Sequence, residues 1–416
     1  MLRGYESLPD SVSNDIDLAI DPDQINAFEK ISHEFLVDRG FTRICRMDKF
    51  QFVQLYYYSK ILKQSLHLDF KYGFTYRGMT YLDITKVLKN RIPLRMFFIP
   101  SPEDELATSF LKEYNHNQGV RKDKIGKLKS LLNNVENKNV FEDYYCKQSP
   151  EFIKAISEDI YDLKKLGRRN YLKLFSKNIR RQGFFTTIGN SLGYLRKEFR
   201  LFRNPPGKFI SLLGPDGSGK TTSYEMIAEE IGKHFYSNVT YYHFRYGKLP
   251  PISRLMGRKQ VKNVERTVEE NLKEAEKTSR FFFLYPIYYF FDFLMGSFDI
   301  RYKKYKNHLV VYDRYYYDYI VNQAYKKLPR FFMWPYKWFI IKPDVLIYLK
   351  ADADVIFNRK PELPVYLIKY QQEKITQDVI KPKLYKSLFT LETGIDLKES
   401  ANSTVDFFID HVERKN

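Results

Sequence analysis

The sequence predicts an α/β chain with two kinds of architecture: a doubly wound parallel sheet in the C-terminal half, and a smaller α+β domain with a helical extension before it. Three observations carry this. Downstream of residue 207, short aliphatic strands alternate with helical stretches (209–213, 239–244, 308–312 and 344–350 as strands; the stretch after 222 and 264–304 as helices), the pattern that covers a parallel sheet on both faces. One of those strands runs into a glycine-rich loop and then a helix-like stretch. Residues 1–100 instead mix strand signals (15–20, 43–47, 50–58, 65–71) with one helix at 22–39, and 103–161 reads as helices.

A chain of 416 residues holds two or three domains. The Pro205-Pro206-Gly207 break marks the main boundary, giving 1–102, a helical extension at 103–162, a basic linker at 163–206 and the sheet domain at 207–416. Hydrophobic content of 44% is ample for cores. Cys45 and Cys146 give neither a disulfide framework nor metal-ligand spacing, so a reducing, cytoplasmic setting is the expectation. The opening residues lack the charged-then-apolar pattern of a leader. The apolar run 281–298 is interrupted by Pro286 and Asp292 and reads as a buried helix, too short and broken for a membrane span.

The net charge of +19 is uneven: between Lys164 and Lys208 stand thirteen lysines and arginines against one acid, Glu198. Bulky apolar residues, among them Leu174, Phe185, Leu195 and Phe199, interleave with them at roughly helical spacing. That fits either a helix lying on an anionic membrane at its inner face or a basic helix packed on its own protein. Nucleic acid ranks third, because no nucleic-acid-binding motif accompanies the charge.

In chain order, the first candidate site is Asp15-Ile-Asp17. Acids at i and i+2 on a strand share a face, and Asp69 in Leu66-His-Leu-Asp69 supplies a third acid on another strand. Such carboxylates can hold two Mg²⁺ ions; a solvated strand edge is the alternative.

The second is GPDGSGKTT at 214–222, a GxxxxGK[ST] loop between strand and helix. Gly214, Gly217 and Gly219 let backbone N–H groups, with that of Ser218, turn toward phosphate oxygens, and the helix start at Thr221 and Thr222 adds partial positive charge. Lys220 reaches the β/γ-phosphates, and the Thr221 hydroxyl can ligate Mg²⁺. A nucleoside triphosphate with Mg²⁺ is the expected ligand. Further on, Asp313 and Arg314 end an apolar strand. Asp313 can hold Mg²⁺ through water or orient an acceptor, and Arg314 can neutralise a phosphoryl group; a plain strand-end ion pair is the alternative. Arg359 and Lys360 end a helix, as a lid over phosphates or as a helix cap. Arg245, after Tyr241-Tyr-His243, is a candidate for an anionic acceptor. The aromatic segment 331–340 suits core packing, an acceptor wall or a membrane-dipping loop.

GPDGSGKTT, DRYYYD at 313–318, PDVLIYLKADADVI at 343–356 and RKPELP at 359–364 together resemble the thymidylate-kinase-like branch of P-loop kinases, over about residues 207–380 and in that family's order. The resemblance implies that Lys220 and Thr221 serve ATP–Mg²⁺, that Asp216 faces the acceptor, that Asp313 and Arg314 sit at the transfer site, and that Arg359 belongs to the lid. True thymidylate kinases carry an arginine on the long helix before the DRY motif. The stretch 288–295 has none, which opens the acceptor to compounds other than dTMP. The RKPEL and DRYYYD variants are also similar to proteins of cell-envelope polysaccharide loci. Residues 1–100 resemble the nucleotidyltransferase fold, with Tyr5 standing where that pattern has Gly or Ser; catalysis there and a substrate-binding or degenerate domain are equal alternatives.

The sequence therefore leads to an ATP-dependent kinase acting on an alcohol or phosphate acceptor (sugar, glycolipid or nucleotide), with a second, nucleotidyltransferase-like domain. Oligomerisation is left open. A dTMP kinase, or a nucleotide-gated membrane- or protein-binding module without transfer, are the alternatives.

Overall fold

The computed structural model describes residues 1–2, 15–136, 140–141, 145–167, 170–250, 284–321, 330–393 and 397–413. The chain forms two compact units, Met1–Arg203 and Asn204–Asn416. Gly4 and Tyr5 lie outside the described residues, as does 264–283 of the long helix expected from the sequence.

The first unit holds a four-stranded sheet of β1 (Asp15–Ala19), β2 (Thr42–Lys49), β3 (Phe52–Ser59) and β4 (Gln64–Lys71), in the order β1-β4-β3-β2. β1 runs parallel to β4; the other pairs are antiparallel. Alternation puts Val53, Leu55 and Tyr57 on one face with Leu68 and Phe70, against Leu36 of helix α1 (Ile25–Val37). Two hairpins follow, β5 (Phe74–Tyr76) with β6 (Met79–Leu82) and β7 (Ile92–Leu94) with β8 (Phe97–Ile99), flanking the short helix α2 (Ile84–Lys89).

Helix α3 (Pro102–Asn117) shows why the extension is helical. Ser101 caps it by accepting from the Asp104 N–H at 3.2 Å, Pro102 fills the first turn, and Gln118 closes it with φ 51°. Its apolar face packs with α4 (Lys122–Asn134) and α5 (Ser149–Ser157), Phe110 meeting Phe152 at 4.9 Å between ring centres.

The basic segment is part of this unit. Helix α6 (Asn170–Gln182) buries Leu174, and its Asn178 side chain bonds both backbone groups of Thr80, accepting at 3.0 Å and donating at 2.9 Å. Helix α7 (Phe184–Arg203) lays Gly193 against the Phe50 ring, where a Cβ would sit 3.0 Å from it, and pairs Lys197 with Asp48. The opposite face of α7 exposes Phe185, Leu192, Leu195, Phe199 and Phe202.

The second unit is built on five parallel strands: β9 (Lys208–Leu213), β10 (Asn238–His243), β11 (His308–Asp313), β12 (Val345–Lys350) and β13 (Ser387–Glu392), ordered β10-β11-β9-β12-β13. β13 was not expected from the sequence. It is an edge strand with only Leu391 buried, so its apolar signal is weak. The connection leaving β9 goes to one side of the sheet, toward β10, and the one leaving β11 goes to the other, toward β12. Their carboxyl ends therefore open a crevice, the usual ligand position in such sheets.

Helix α8 (Lys220–Ile227) follows β9, and α9 (Leu284–Tyr305) precedes β11. The apolar run expected to be buried is buried on one face of α9 only. Tyr289, Phe293 and Ile300 face the core, while Ile287, Phe291, Met295, Phe298 and Tyr302 are exposed. Its acid points inward: Asp292 is fully buried and accepts from the Gly247 and Leu249 N–H groups at 2.9 and 2.8 Å, fixing the turn after β10. No helix among the described residues is long and apolar enough to cross a membrane. At the other end of the sheet, buried Asp344 accepts from Phe209 N–H (2.8 Å) and pairs with Lys304 (2.6 Å) and Lys386 (2.8 Å). Further helices of the unit include α10 (Ala353–Arg359), α11 (Val365–Lys374) and α12 (Leu397–Glu413).

Candidate active site

β11 ends by turning three consecutive tyrosines inward. Tyr315, Tyr316 and Tyr317 are fully buried, and the Tyr315 and Tyr317 hydroxyls donate to Ile341 O (2.8 Å) and Leu384 O (2.6 Å). Arg314 takes a left-handed φ of 59°, its N–H bonded to Leu212 O of β9. This anchoring places Arg314, and Asp318 one helical turn later, together at the crevice. The Arg314 guanidinium bonds Asp216 and lies 3.7 Å from Asp318.

The glycine loop wraps the end of β9. Gly217 has φ 86°, and a Cβ there would sit 3.0 Å from Lys360 Cβ and 3.1 Å from Ile356 O. At Gly214 a Cβ would meet Ser218 Oγ at 2.6 Å and Leu349 O at 2.9 Å, so close approach excludes a side chain there, while at Gly217 the left-handed backbone and the tight contacts together disfavour one. Gly219, also left-handed, caps α8. Lys220 is buried and donates to Gly214 O (2.9 Å) and Pro215 O (2.8 Å), with Asp216 Oδ1 at 3.3 Å. Thr221 and Thr222 line the same cavity, about 610 Å³, with Lys220, Asp313, Arg314 and Arg359. Arg359, on α10, donates to Thr393 O at 2.7 Å, just beyond β13, and Lys360 pairs with Glu362 at 2.9 Å.

Asp313 is almost fully buried. One carboxylate oxygen accepts from the Tyr241 hydroxyl (3.3 Å) and contacts His243 Nδ1 (3.0 Å), while the other, Oδ1, is buried without a hydrogen-bond partner among the described residues. Burial raises the Tyr241 hydroxyl to about 12, with Asp313 adding to the effect.

Charge at the crevice is divided between two carboxylates. Burial works to raise Asp216, but the Lys220 and Arg314 cations outweigh it and hold the group below its usual value. Asp318 goes the other way. Burial pushes it up to about 7 against the pull of Arg314, and Asp216 adds repulsion. The sequence reading gave Asp318 no role, although its i+4 spacing from Arg314 signalled the pairing. Arg245 stacks its guanidinium 4.9 Å from the Tyr289 ring of α9, and its Nη1 is buried without a partner among the described residues.

The oxygen donors fit a hard cation: Asp313, whose buried Oδ1 has no hydrogen-bond partner among the described residues, and Thr221 line one cavity. Among the described residues no group of three or more His, Cys, Asp or Glu forms a metal cage. Mg²⁺ at phosphoryl-transfer sites takes one or two protein ligands plus substrate phosphates and water, so the sparse donor set suits it.

The acids of the first unit are arranged differently. The β1–β4 register sets Asp17 beside Asp69 and Asp15 beside His67. Yet Asp17 is paired with Lys71 at 2.8 Å, Asp69 accepts from Gln54 at 2.9 Å, and Asp15, mostly exposed, contacts His67 at 2.9 Å. Burial, then the neighbouring Asp17, raises Asp69. With an ammonium seated on Asp17, these residues do not fit a pair of divalent cations.

The second unit thus has an α/β fold with a phosphate-loop geometry at its switch point. No family model matches the chain. A stretch of 153 residues, 36% of the chain, is 28% identical to a probable thymidylate kinase from Methanococcus vannielii, covering 65% of that protein. The chain therefore spans just under two thirds of that relative, and the similarity points to a kinase-like region.

Proposed function

We propose that the second unit is an ATP-dependent phosphotransferase. The carrying observation is the convergence of Lys220, Asp216, Arg314 and Asp313 at the β9/β11 crevice. Lys220 now spends its donors on two loop carbonyls; phosphate oxygens are stronger, charged acceptors at the same place. Arg314, held between Asp216 and Asp318, lies where charge spreads over the moving phosphoryl group. Asp216, kept ionised, can accept a hydrogen bond from the acceptor. Arg359 closes over the phosphates by exchanging the Thr393 carbonyl for an anionic oxygen. Bound Mg²⁺, on Thr221 and Asp313, would neutralise β- and γ-oxygens. The γ P–O bond to ADP breaks as the acceptor oxygen bonds phosphorus, and an acceptor phosphate monoester needs no base for this.

For the acceptor we favour a nucleoside monophosphate over an uncharged alcohol. Arg245 offers a buried Nη1 without a partner among the described residues, against the stretch 288–295 of α9, which lacks an arginine, and the similarity to a probable thymidylate kinase supports the same choice. Incubation with ATP, Mg²⁺ and dTMP, followed by chromatography, should yield dTDP. ADP release stimulated by a sugar or glycolipid, with no dTDP, would move the acceptor to those classes.

A second reading concerns placement. The exposed stripe Phe185, Leu192, Leu195, Phe199, Phe202 of α7, flanked by Arg196, Arg200 and Arg203, supports contact of α7 with an anionic membrane surface.

A further inference from the structure

Tyr241 and His243, at the end of β10, both reach Asp313 at the end of β11. The sheet dictates this. Its parallel register sets His243 beside Asp313 and Tyr241 beside Val311, and residues two apart on a strand share a face. Both side chains act on the same carboxylate oxygen, Oδ2: the Tyr241 hydroxyl donates at 3.3 Å and His243 Nδ1 lies at 3.0 Å. Facing a carboxylate, Nδ1 is the nitrogen that carries the hydrogen. Oδ1 is buried without a hydrogen-bond partner among the described residues. A third ring extends the arrangement. Tyr224 of α8 packs on Tyr241 with ring centres 4.2 Å apart. It stands three residues after Thr221, a neighbour on the same helix surface. The strand-end carboxylate is thus tied through Tyr241 to the helix that carries the Thr221 hydroxyl. Thr221, His243 and Asp313 line one cavity. β10 is an edge strand, and Tyr241 and His243 are exposed. Polar contacts at such positions contribute little to folding, so the worth of these two lies in where they hold the carboxylate.

We propose that Tyr241 and His243 are positioning residues: they pin Asp313 by one oxygen, so that the other is presented, with Thr221, to the Mg²⁺ that accompanies the nucleotide. The inference rests on the phosphotransferase reading and adds to it the residues that aim the metal ligand. A carboxylate already fixed by outer hydrogen bonds has its orientation set before a cation arrives. Without the two donors it is free to turn toward the guanidinium of Arg314, the next residue, whose charge already interacts with that of Asp313. Mg²⁺ demands near-ideal octahedral geometry. Loss of aim therefore appears in the contribution of the metal, while the phosphate loop, built from other residues, still holds the nucleotide.

The test uses the full chain, titrated by calorimetry with the β,γ-imido analogue of ATP, once in Mg²⁺ and once in EDTA. The wild type should bind the analogue in both media, and more tightly in Mg²⁺. Tyr241→Phe with His243→Leu should leave the EDTA affinity and the melting midpoint unchanged and reduce the Mg²⁺-dependent tightening about tenfold, the lower end of what loss of an outer partner costs a metal site. Tyr241→Phe with His243→Asn, whose side-chain amide donates from near the Nδ1 position, should recover most of it. Tyr241→Phe alone removes one donor with little change of shape and should give an intermediate value, which keeps the test decisive where the double variant folds poorly. A wild type that gains nothing from Mg²⁺, tightening that survives loss of both donors, a loss that His243→Asn does not recover, or an equal loss in Mg²⁺ and EDTA would overturn the positioning role and leave the phosphotransferase reading standing. No binding of the analogue by the wild type in either medium would instead overturn that reading, and this inference with it.

Discussion

Asp318 gives the most sign-definite prediction. Its carboxyl is pushed from the model-compound value of 3.8 up to about 7, chiefly by burial. A raised pKa in the folded state means that folding favours the protonated acid. The stabilisation it reports is complete below the unfolded value and is lost as pH rises through the folded one. The shift of about three units corresponds to roughly 4 kcal/mol between the two limits, at about 1.4 kcal/mol per unit. Roughly half of this, about 2 kcal/mol, develops between pH 5.5 and 8 by the same linkage. Asp318→Asn removes the titration while keeping the shape. It should raise the unfolding midpoint relative to wild type by several degrees more at pH 8 than at pH 5.5, at about 2–4 °C per kcal/mol for a unit of this size. Scanning fluorimetry at the two pH values reads this directly. An equal change at both, or destabilisation confined to pH 8, would refute the assignment, because it would mean that ionised Asp318 is a net stabiliser through Arg314.

Other outcomes follow from the same geometry. Gly217→Ala places a Cβ 3.0 Å from Lys360 Cβ at φ 86°; left-handed backbone alone costs about 1–2 kcal/mol, so ATP affinity by calorimetry should fall about tenfold or more. Asp344→Asn breaks the buried contact with Lys304 and should cost about 3 kcal/mol in denaturant unfolding at pH 7. The Lys304 and Lys386 charges overcome burial and hold Asp344 below its usual range. Its contribution is therefore present above the unfolded pKa and fades as pH falls through the folded one, and the variant's deficit should narrow in acid. Leu195→Glu with Phe199→Glu on exposed α7 should abolish co-flotation with phosphatidylserine vesicles, and unchanged flotation would remove α7 from the membrane reading.

Much of the second unit's site was legible in the sequence, because each part is local. A glycine loop, its lysine and the helix it opens are consecutive residues, and Asp313–Arg314 end a strand whose apolar run is unmistakable. What the sequence hid is non-local. That Asp216 pairs with Arg314 depends on β9 and β11 being neighbours, and the tie between Arg359 and Thr393 depends on the weakly apolar β13. Asp292 looked like an interruption in a buried run, yet it is buried beside Phe293, while Phe291 and Met295 face outward. In the first unit, i and i+2 spacing placed Asp15 and Asp17 on one face, but periodicity carries no information about Lys71 sitting on Asp17.

The central claim is transfer of a phosphoryl group by the crevice between β9 and β11. Incubating the full chain with γ-³²P-ATP, Mg²⁺ and dTMP should move label into dTDP faster than into inorganic phosphate, and Lys220→Ala or Arg314→Gln should lower that rate by about a hundredfold or more, the usual scale for losing one charge-stabilising donor. Label appearing only as inorganic phosphate with every acceptor tried, or transfer undiminished in Lys220→Ala, would contradict the account.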